Sequence, residues 1–413
     1  MDNITHSLIG IAIAEEAVQY RRHRGENVSK VAQASMWLVS LAANNLPDLD
    51  FFYSPITKGP LGYLLHHRGH THSLAAILPQ VLAMLLPIYF YNRWKKLGLG
   101  RKDFGYLWLM AGFGIGVHIF LDGLNSYGIH PFWPFQNKWY YDDSVFIVEP
   151  WIWVTLIPVL VQLTPWKIPR FFFALIWCVA LVLLWITGLV PKGMALLVTL
   201  WGVALYFGIA RLKPLYRVFA TSAALLFVLS TFVISSRLAK AYVLATFPAD
   251  GWTHLDTIAS PLPSNPLCWA VMEIQESDDR AQYRVVRALV APFPQIYEAR
   301  HCDFFKFTES TAPVQRFPYR STPGIHFLGY FQGSAENLRE LNARNCFVSE
   351  YLKFARAPFA LENPKSLTLG DMRFDRRKGA DFAELTAPLD PQICPKYTPN
   401  WDPPRSDLLS PGP

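Results

Sequence analysis

Apolar runs of membrane length fill the first 236 residues, and they constrain this chain more than any single motif. Full spans are expected at about 72–91, 104–123, 171–189, 194–210 and 217–236, with a shorter one at 150–164. The apolar segments 5–20 and 31–46 fall about one turn short of the roughly 20 residues a span needs. They read as shallow or half-membrane helices packed against the others. Pro79, Pro87 and Pro158 lie inside spans, where neighbouring helices satisfy the freed carbonyls.

The connections fix a topology. Arg21, Arg22, Arg24 and Lys30 lie in one; Arg93, Lys95, Lys96, Arg101 and Lys102 in another. Lys167 and Arg170, then Arg211, Lys213 and Arg217, bring that face to fourteen. The alternate connections hold four: Lys58, Arg68, Lys138 and Lys192, with Arg237 and Lys240 following the last span. The positive-inside rule puts the fourteen in the cytoplasm. No cleavable leader is expected, since Met1-Asp2-Asn3 is not basic and Glu15-Glu16 interrupt the first apolar run.

Beyond residue 236 the chain turns polar and proline-rich. Overall it is 52% hydrophobic and 17% charged, against about 25% charged for a soluble domain. The expected class is mainly α: a polytopic helical membrane bundle followed by a small α+β soluble domain. The bundle divides into 1–148 and further transmembrane helices at 149–236; the soluble domain covers 237–398 and a disordered tail 399–413. Val271–Gln275 and Gln282–Val290 read as a hairpin, Ser334–Arg344 as a helix, and Tyr351–Phe359 and Leu367–Phe374 as strands. Cys268, Cys302, Cys346 and Cys394 all fall in this part, and three disulfide pairings are open. The formal charge of +7 is not gathered into a stripe, so no nucleic-acid partner is expected.

Chemistry concentrates in few places. His66-His67-Arg68-Gly69-His70-Thr71-His72-Ser73 holds four of the eleven histidines, and imidazole is the commonest metal ligand. Thr71-His72-Ser73 recurs as Thr5-His6-Ser7. His118 and Asp122 are one turn apart on one helix face, able to chelate one ion. Asn45-Leu46-Pro47-Asp48-Leu49-Asp50 brings two carboxylates after a proline-fixed turn. In the topology above, His6, Asp48, His70, His72, His118, Asp122 and Glu149 all reach the extracytoplasmic end. That convergence from five segments makes them the expected metal ligands. Such buried ionisable groups at membrane depth are functional by default. His70 and His72 do not share a helix face with each other, so one regular helix cannot bring all four cluster histidines to one ion.

Asp50 is expected as a general base or a partner that orients a ligand, and His67 as a further catalytic group. Asn125 is a substrate hydrogen-bonding candidate, and Arg68 a binder of a phosphate or carboxylate or else a headgroup anchor. Mixed His and carboxylate ligands suit a divalent metal, zinc first, with manganese or iron also possible, and two or more ions fit the inventory. No His-Glu-x-x-His, Gly-x-Ser-x-Gly, Walker loop or dinucleotide fingerprint occurs.

These residues resemble the YdjM-like family of membrane-bound metal-dependent hydrolases. The likeness rests on Asn3-Ile4-Thr5-His6-Ser7-Leu8-Ile9-Gly10, on Asn45 to Asp50, on His67 to Leu74, and on His118 to Asn125 through Pro134-Phe135. Pro261 to Trp269 and Leu369 to Phe374 resemble the extension of its longer members. More distantly the pattern is similar to zinc-dependent phospholipase C and the S1/P1 nucleases. That similarity implies His6, Asp48, His72, His118 and Asp122 as ligands, with Asp122 bridging. The expectation is therefore an inner-membrane hydrolase acting on an ester or phosphoester, lipid-linked substrates included, with the bilayer itself as a partner. The alternative is a non-catalytic membrane protein whose metal is structural or is transported; among sequence features, polar groups running on to the cytoplasmic face would favour transport, and segments three and four carry almost none.

Overall fold

The computed structural model describes residues 1–247, 250–302, 310–379 and 381–410. Eight helices of the bundle follow the expected segments: α1 (Asn3–His23), α2 (Lys30–Ala43), then, after the short helix α3 (Pro60–His66), α4 (Ile77–Lys95), α5 (Arg101–Gly123), α6 (Pro150–Leu163), α7 (Lys167–Ile186), α8 (Lys192–Ala210) and α9 (Pro214–Thr246). Five of these regions are long and apolar enough to cross a membrane: Leu74–Lys95, α5, α7, α8 and α9. Their exposed faces carry large apolar side chains such as Leu109, Phe113, Val182 and Phe207, as lipid contact requires.

The shorter helices serve a different purpose. Asp2 caps α1 by accepting from the N–H groups of Ile4 and Thr5, and Ser29 caps α2. α1 packs against α2, α5, α6 and α9, at the centre of the bundle. Close approach is permitted by Gly10 and Gly114. A Cβ at Gly10 would stand 2.7 Å from the Ser40 carbonyl oxygen, and one at Gly114 would stand 2.6 Å from the Asn44 amide. The end of α2 is thereby held between α1 and α5.

α9 has 33 residues, about 50 Å at 1.5 Å per residue, more than a bilayer core needs. Its last turns carry the soluble domain, Trp269 Nε1 donating to Ser235 Oγ at 3.1 Å, and are tied to the α5–α6 connection by Ser236 Oγ, which donates to the Asp143 carbonyl at 2.9 Å. An antiparallel sheet of order β1 (Trp252–Leu262), β2 (Asn265–Ser277), β3 (Gln282–Val290), β4 (Ile325–Ser334) is followed by α10 (Ala335–Arg344) and α11 (Cys346–Leu352). A second antiparallel sheet joins β5 (Pro358–Asn363), β6 (Ser366–Asp371) and β7 (Leu385–Pro388). The class is thus a helical membrane bundle with a small α+β domain. Disulfides join Cys268 to Cys302 and Cys346 to Cys394.

Two local expectations are corrected. Residues 351–357 are not strand: Asn345 caps α11 by accepting from Phe347 and Val348 N–H, and the strand begins only at Pro358. The tail from residue 399 is not disordered over its described part. Trp401 is buried, its indole donates to the Leu65 carbonyl at 2.7 Å, and α12 (Ser406–Leu409) follows. Proline-rich composition signals a chain that cannot build its own core; here it borrows one from the loops above the bundle. Residues 411–413 lie outside the described residues.

Candidate metal centre

Three short stretches deliver the side chains. α2 ends at Ala43, and a 3-10 turn, Pro47–Phe52, turns Asp48 and Asp50 inward while Leu49 stays exposed. α3 ends at His66, and the chain then reverses through Arg68, whose φ of 59° is rare for a side chain with a Cβ. A second 3-10 turn, His70–His72, follows. The last turn of α5 supplies His118 and Asp122, four residues apart.

Asp48, His72, His118 and Asp122 offer ligand atoms that all lie within 4.8 Å of one another. His72 Nε2 is 3.5 Å from Asp48 Oδ1, 3.2 Å from Asp122 Oδ2 and 3.0 Å from His118 Nε2. His118 Nε2 is 3.5 Å from each of the same two oxygens. Ligand atoms about 2.1 Å from a tetrahedral ion stand roughly 3.4 Å apart, so these edges have the size of a metal cage.

Proton positions strengthen the fit. His118 Nδ1 donates to the Asn44 carbonyl at 2.6 Å. Thr71 Oγ1 donates its hydrogen to Asp50 Oδ2, so it accepts from His72 Nδ1 at 3.1 Å. Both rings therefore carry the proton on Nδ1 and turn bare Nε2 lone pairs towards each other. Asp48 Oδ1 and Asp122 Oδ2 are buried and no N–H or O–H is aligned on them. Lone pairs facing lone pairs in a buried site call for a cation. Arg68 Nε, 2.9 Å from Asp122 Oδ2 but out of line for a hydrogen bond, and the amine of Met1 against Oδ1 answer Asp122 only in part.

Asp50 organises the surroundings. It accepts from His67 Nδ1 at 2.9 Å, from Arg68 N–H at 2.7 Å and from Thr71 Oγ1 at 3.0 Å. Burial pushes its carboxyl up, but the hydrogen bond from His67 and the nearby His72 imidazole outweigh that and hold it below the usual carboxylate range. It orients ligands and also pins the strained Arg68 backbone. Burial lowers the pKa of His67, against the pull of Asp50.

The other expected residues are placed as follows. His6 stacks on His118, ring centroids 3.8 Å apart, and its Nε2 lies 3.1 Å from Asp122 Oδ1, the oxygen that the four-residue group leaves free. His67 and Arg68 line a cavity of about 400 Å³, as does Asn125, which also accepts from Tyr127 N–H. Asp48, His67 and Arg68 line a second of about 530 Å³. His70 is not brought to the group. The turn at Arg68–Gly69 sends its ring between Trp133 and Trp401, at 4.6 and 4.9 Å. Nor is Glu149: as cap of α6 its carboxylate accepts from the N–H groups of Trp151 and Ser264, each at 3.2 Å. Sequence reasoning missed Asn44, Thr71, Tyr127 and Trp401. The Asn44-Asn45 pair ahead of Pro47 was a usable signal for a capping carbonyl; Trp401, 336 residues from Leu65 and 271 from His130, gave none.

A model of the YdjM inner membrane protein family matches residues 1–193. Over those residues the chain is similar to that family. It is an integral membrane protein, and the four-residue group lies within the matched residues. The uncharacterized protein YfhP of Bacillus subtilis (strain 168) is 30% identical over 155 residues, 38% of this chain and 44% of that protein. The chain thus spans less than half the length of this curated relative. No solved structure matches.

Proposed function

We propose that the chain is a metal-dependent hydrolase of an ester or phosphoester, working at the extracytoplasmic face of the inner membrane. The observation that carries this reading is the buried cage of Asp48, His72, His118 and Asp122, which opens through Asp48 onto a cavity of about 530 Å³. A metal that only clamped helices would need no such opening. A divalent ion of the zinc class, when bound there, supplies a hydroxide from water near neutral pH and Lewis acidity for the ester oxygen. His6, with Nε2 at 3.1 Å from the other oxygen of Asp122, would help to hold a second ion.

The chain's own residues do the rest. His67, with Nδ1 held by Asp50, keeps Nε2 as its basic atom and is the candidate to take and return a proton. Arg68 has its Nη1 buried without a hydrogen-bond partner and faces both cavities, a donor suited to an anionic oxygen of the substrate. Asn125 holds the cavity wall through Val145 and Tyr127. The extracytoplasmic assignment draws on the fourteen-to-four charge asymmetry and on two disulfides, which persist in oxidising compartments. Lipid-linked esters suit a site at the end of α5, beside the exposed Leu49 and Phe51.

The test is metal content by mass spectrometry and phosphoester turnover of detergent-purified protein, wild type beside Asp122→Ala. The expected result is zinc-class metal and turnover in the first and neither in a folded second. A wild type that takes up no added metal ends the hydrolase reading; one that holds metal and turns over no ester or phosphoester returns the site to a structural role.

A further inference from the structure

The cavity beside the metal group is built by two domains. Tyr63, Arg68 and Tyr127 line it from the bundle side, and Phe374 and Phe382 from the soluble domain. Its volume of about 400 Å³ lies in the range of sites that enclose a small organic ligand. The wall is fixed in place. Arg373 Nη1 donates to the Ser126 carbonyl at 2.7 Å, Trp139 Nε1 to the Lys353 carbonyl at 2.7 Å, and the Tyr127 hydroxyl to the Leu64 carbonyl at 3.2 Å. Leu64, Tyr127, Phe354 and Trp401 share one apolar core, so the two domains meet over the cavity without a seam.

Phe382 stands out on this wall. Its ring contacts Tyr63, Tyr127 and Phe374 at 5.7, 6.1 and 5.3 Å, yet it remains 48% exposed. An aromatic side chain left that open at the mouth of a cavity is an apolar contact surface without its partner. Across from it, the buried Nη1 of Arg68 is a cationic donor without an acceptor. A ligand answering both has an anionic oxygen at one end and an apolar organic group at the other.

Resting on the hydrolase reading, we infer that the soluble domain selects the substrate. The cavity takes an anionic ester of the phosphate type, its charged oxygen on Arg68 and its apolar group against Phe374 and Phe382. Phe382 is the specificity-determining contact.

The test is calorimetric titration of the metal-loaded full chain in detergent with methyl phosphate, phenyl phosphate and dihexanoyl phosphatidate. Wild type should bind phenyl phosphate at least about tenfold tighter than methyl phosphate, the discrimination an apolar pocket achieves. Phe382→Ala should bring that ratio close to one while methyl phosphate binds as before. Phe382→Leu should fall between, and unchanged metal content marks both as folded. Tighter binding of the phosphatidate than of phenyl phosphate makes a lipid headgroup the source; the reverse makes it a soluble ester. No binding of any of the three by wild type overturns the inference. A ratio untouched by Phe382→Ala overturns it too, even with full turnover. Binding that depends on Phe382 in a protein with no turnover upholds the cavity assignment and removes the hydrolase reading.

Discussion

Two clusters of buried charge lie at the end of the bundle where α5 finishes, and they are finished in opposite ways. In the first, Arg356 donates to both oxygens of Asp143 at 2.9 and 3.0 Å and to Asp256 at 2.7 and 3.1 Å. Lys240 adds a contact to Asp143 at 2.8 Å, and Arg373 pairs with Asp371 at 2.8 Å. In the second, Asp48, Asp50 and Asp122 are answered by one guanidinium, that of Arg68, and the amine of Met1, while the His72 and His118 rings turn Nε2 inward. Evolution of a stable core favours the first arrangement, since unpaired buried charge is costly. The second persists where a cation completes it. The comparison separates charge that docks two domains from charge that could hold an ion.

Removing one partner from the closed cluster should have the largest effect on stability. Arg356→Ala leaves Asp143 and Asp256 without their bidentate partner. It should cost about 3–5 kcal/mol, read as a fall in unfolding free energy in detergent that is the same with and without chelator. In the open cluster the chelator itself is the perturbation. Stripping metal from wild type should lower stability by about 3–4 kcal/mol when the ion is supplied at 100 to 1,000 times its dissociation constant, and Asp122→Ala should show no such response. If chelator shifts Arg356→Ala more than wild type, the clusters are coupled and the comparison breaks.

Asp50→Asn sharpens it further. The amide cannot accept from His67, Arg68 and Thr71 together, so the His72 ring loses its orientation. Metal affinity should drop about 10–100-fold, with the metal still bound at saturation. Loss of all metal at saturation would make Asp50 a ligand itself.

How much of this was legible in the sequence follows from what each signal encodes. The eight bundle helices were, because a span must be apolar over its whole length wherever its neighbours sit. Asp48, His72, His118 and Asp122 were, because helix ends of one polarity collect on one face of a membrane. Their gathering within 4.8 Å needed tertiary structure. His70 and Glu149 went the other way for local reasons invisible in spacing: a left-handed residue at Arg68 rotates one, and a helix cap occupies the other. The docked tail was illegible because Trp401 packs on His130, at 3.6 Å between ring centroids, across 271 residues of chain.

Glu149 belongs to neither cluster, and it tests the comparison most finely. It is fully buried, bonded to two backbone N–H groups and, among the described residues, paired with no cation. Burial pushes its carboxyl up from 4.5 to about 8. Below pH 4.5 folded and unfolded chains both hold the proton, and burial of the neutral acid carries no charge penalty. As pH rises, the unfolded chain ionises first, so stability should fall between about 4.5 and 8 and level off above. Glu149→Gln stays neutral at every pH but can accept only one of the two N–H groups. Its stability should start below wild type at pH 5, by roughly 1 kcal/mol for the lost hydrogen bond, and remain flat to pH 8, so that the two curves cross. Its metal content should equal that of wild type, unlike that of Asp122→Ala. A flat wild-type curve would mean that a cation reaches Glu149 in the folded protein, and metal loss in the Gln variant would identify that cation as the bound ion.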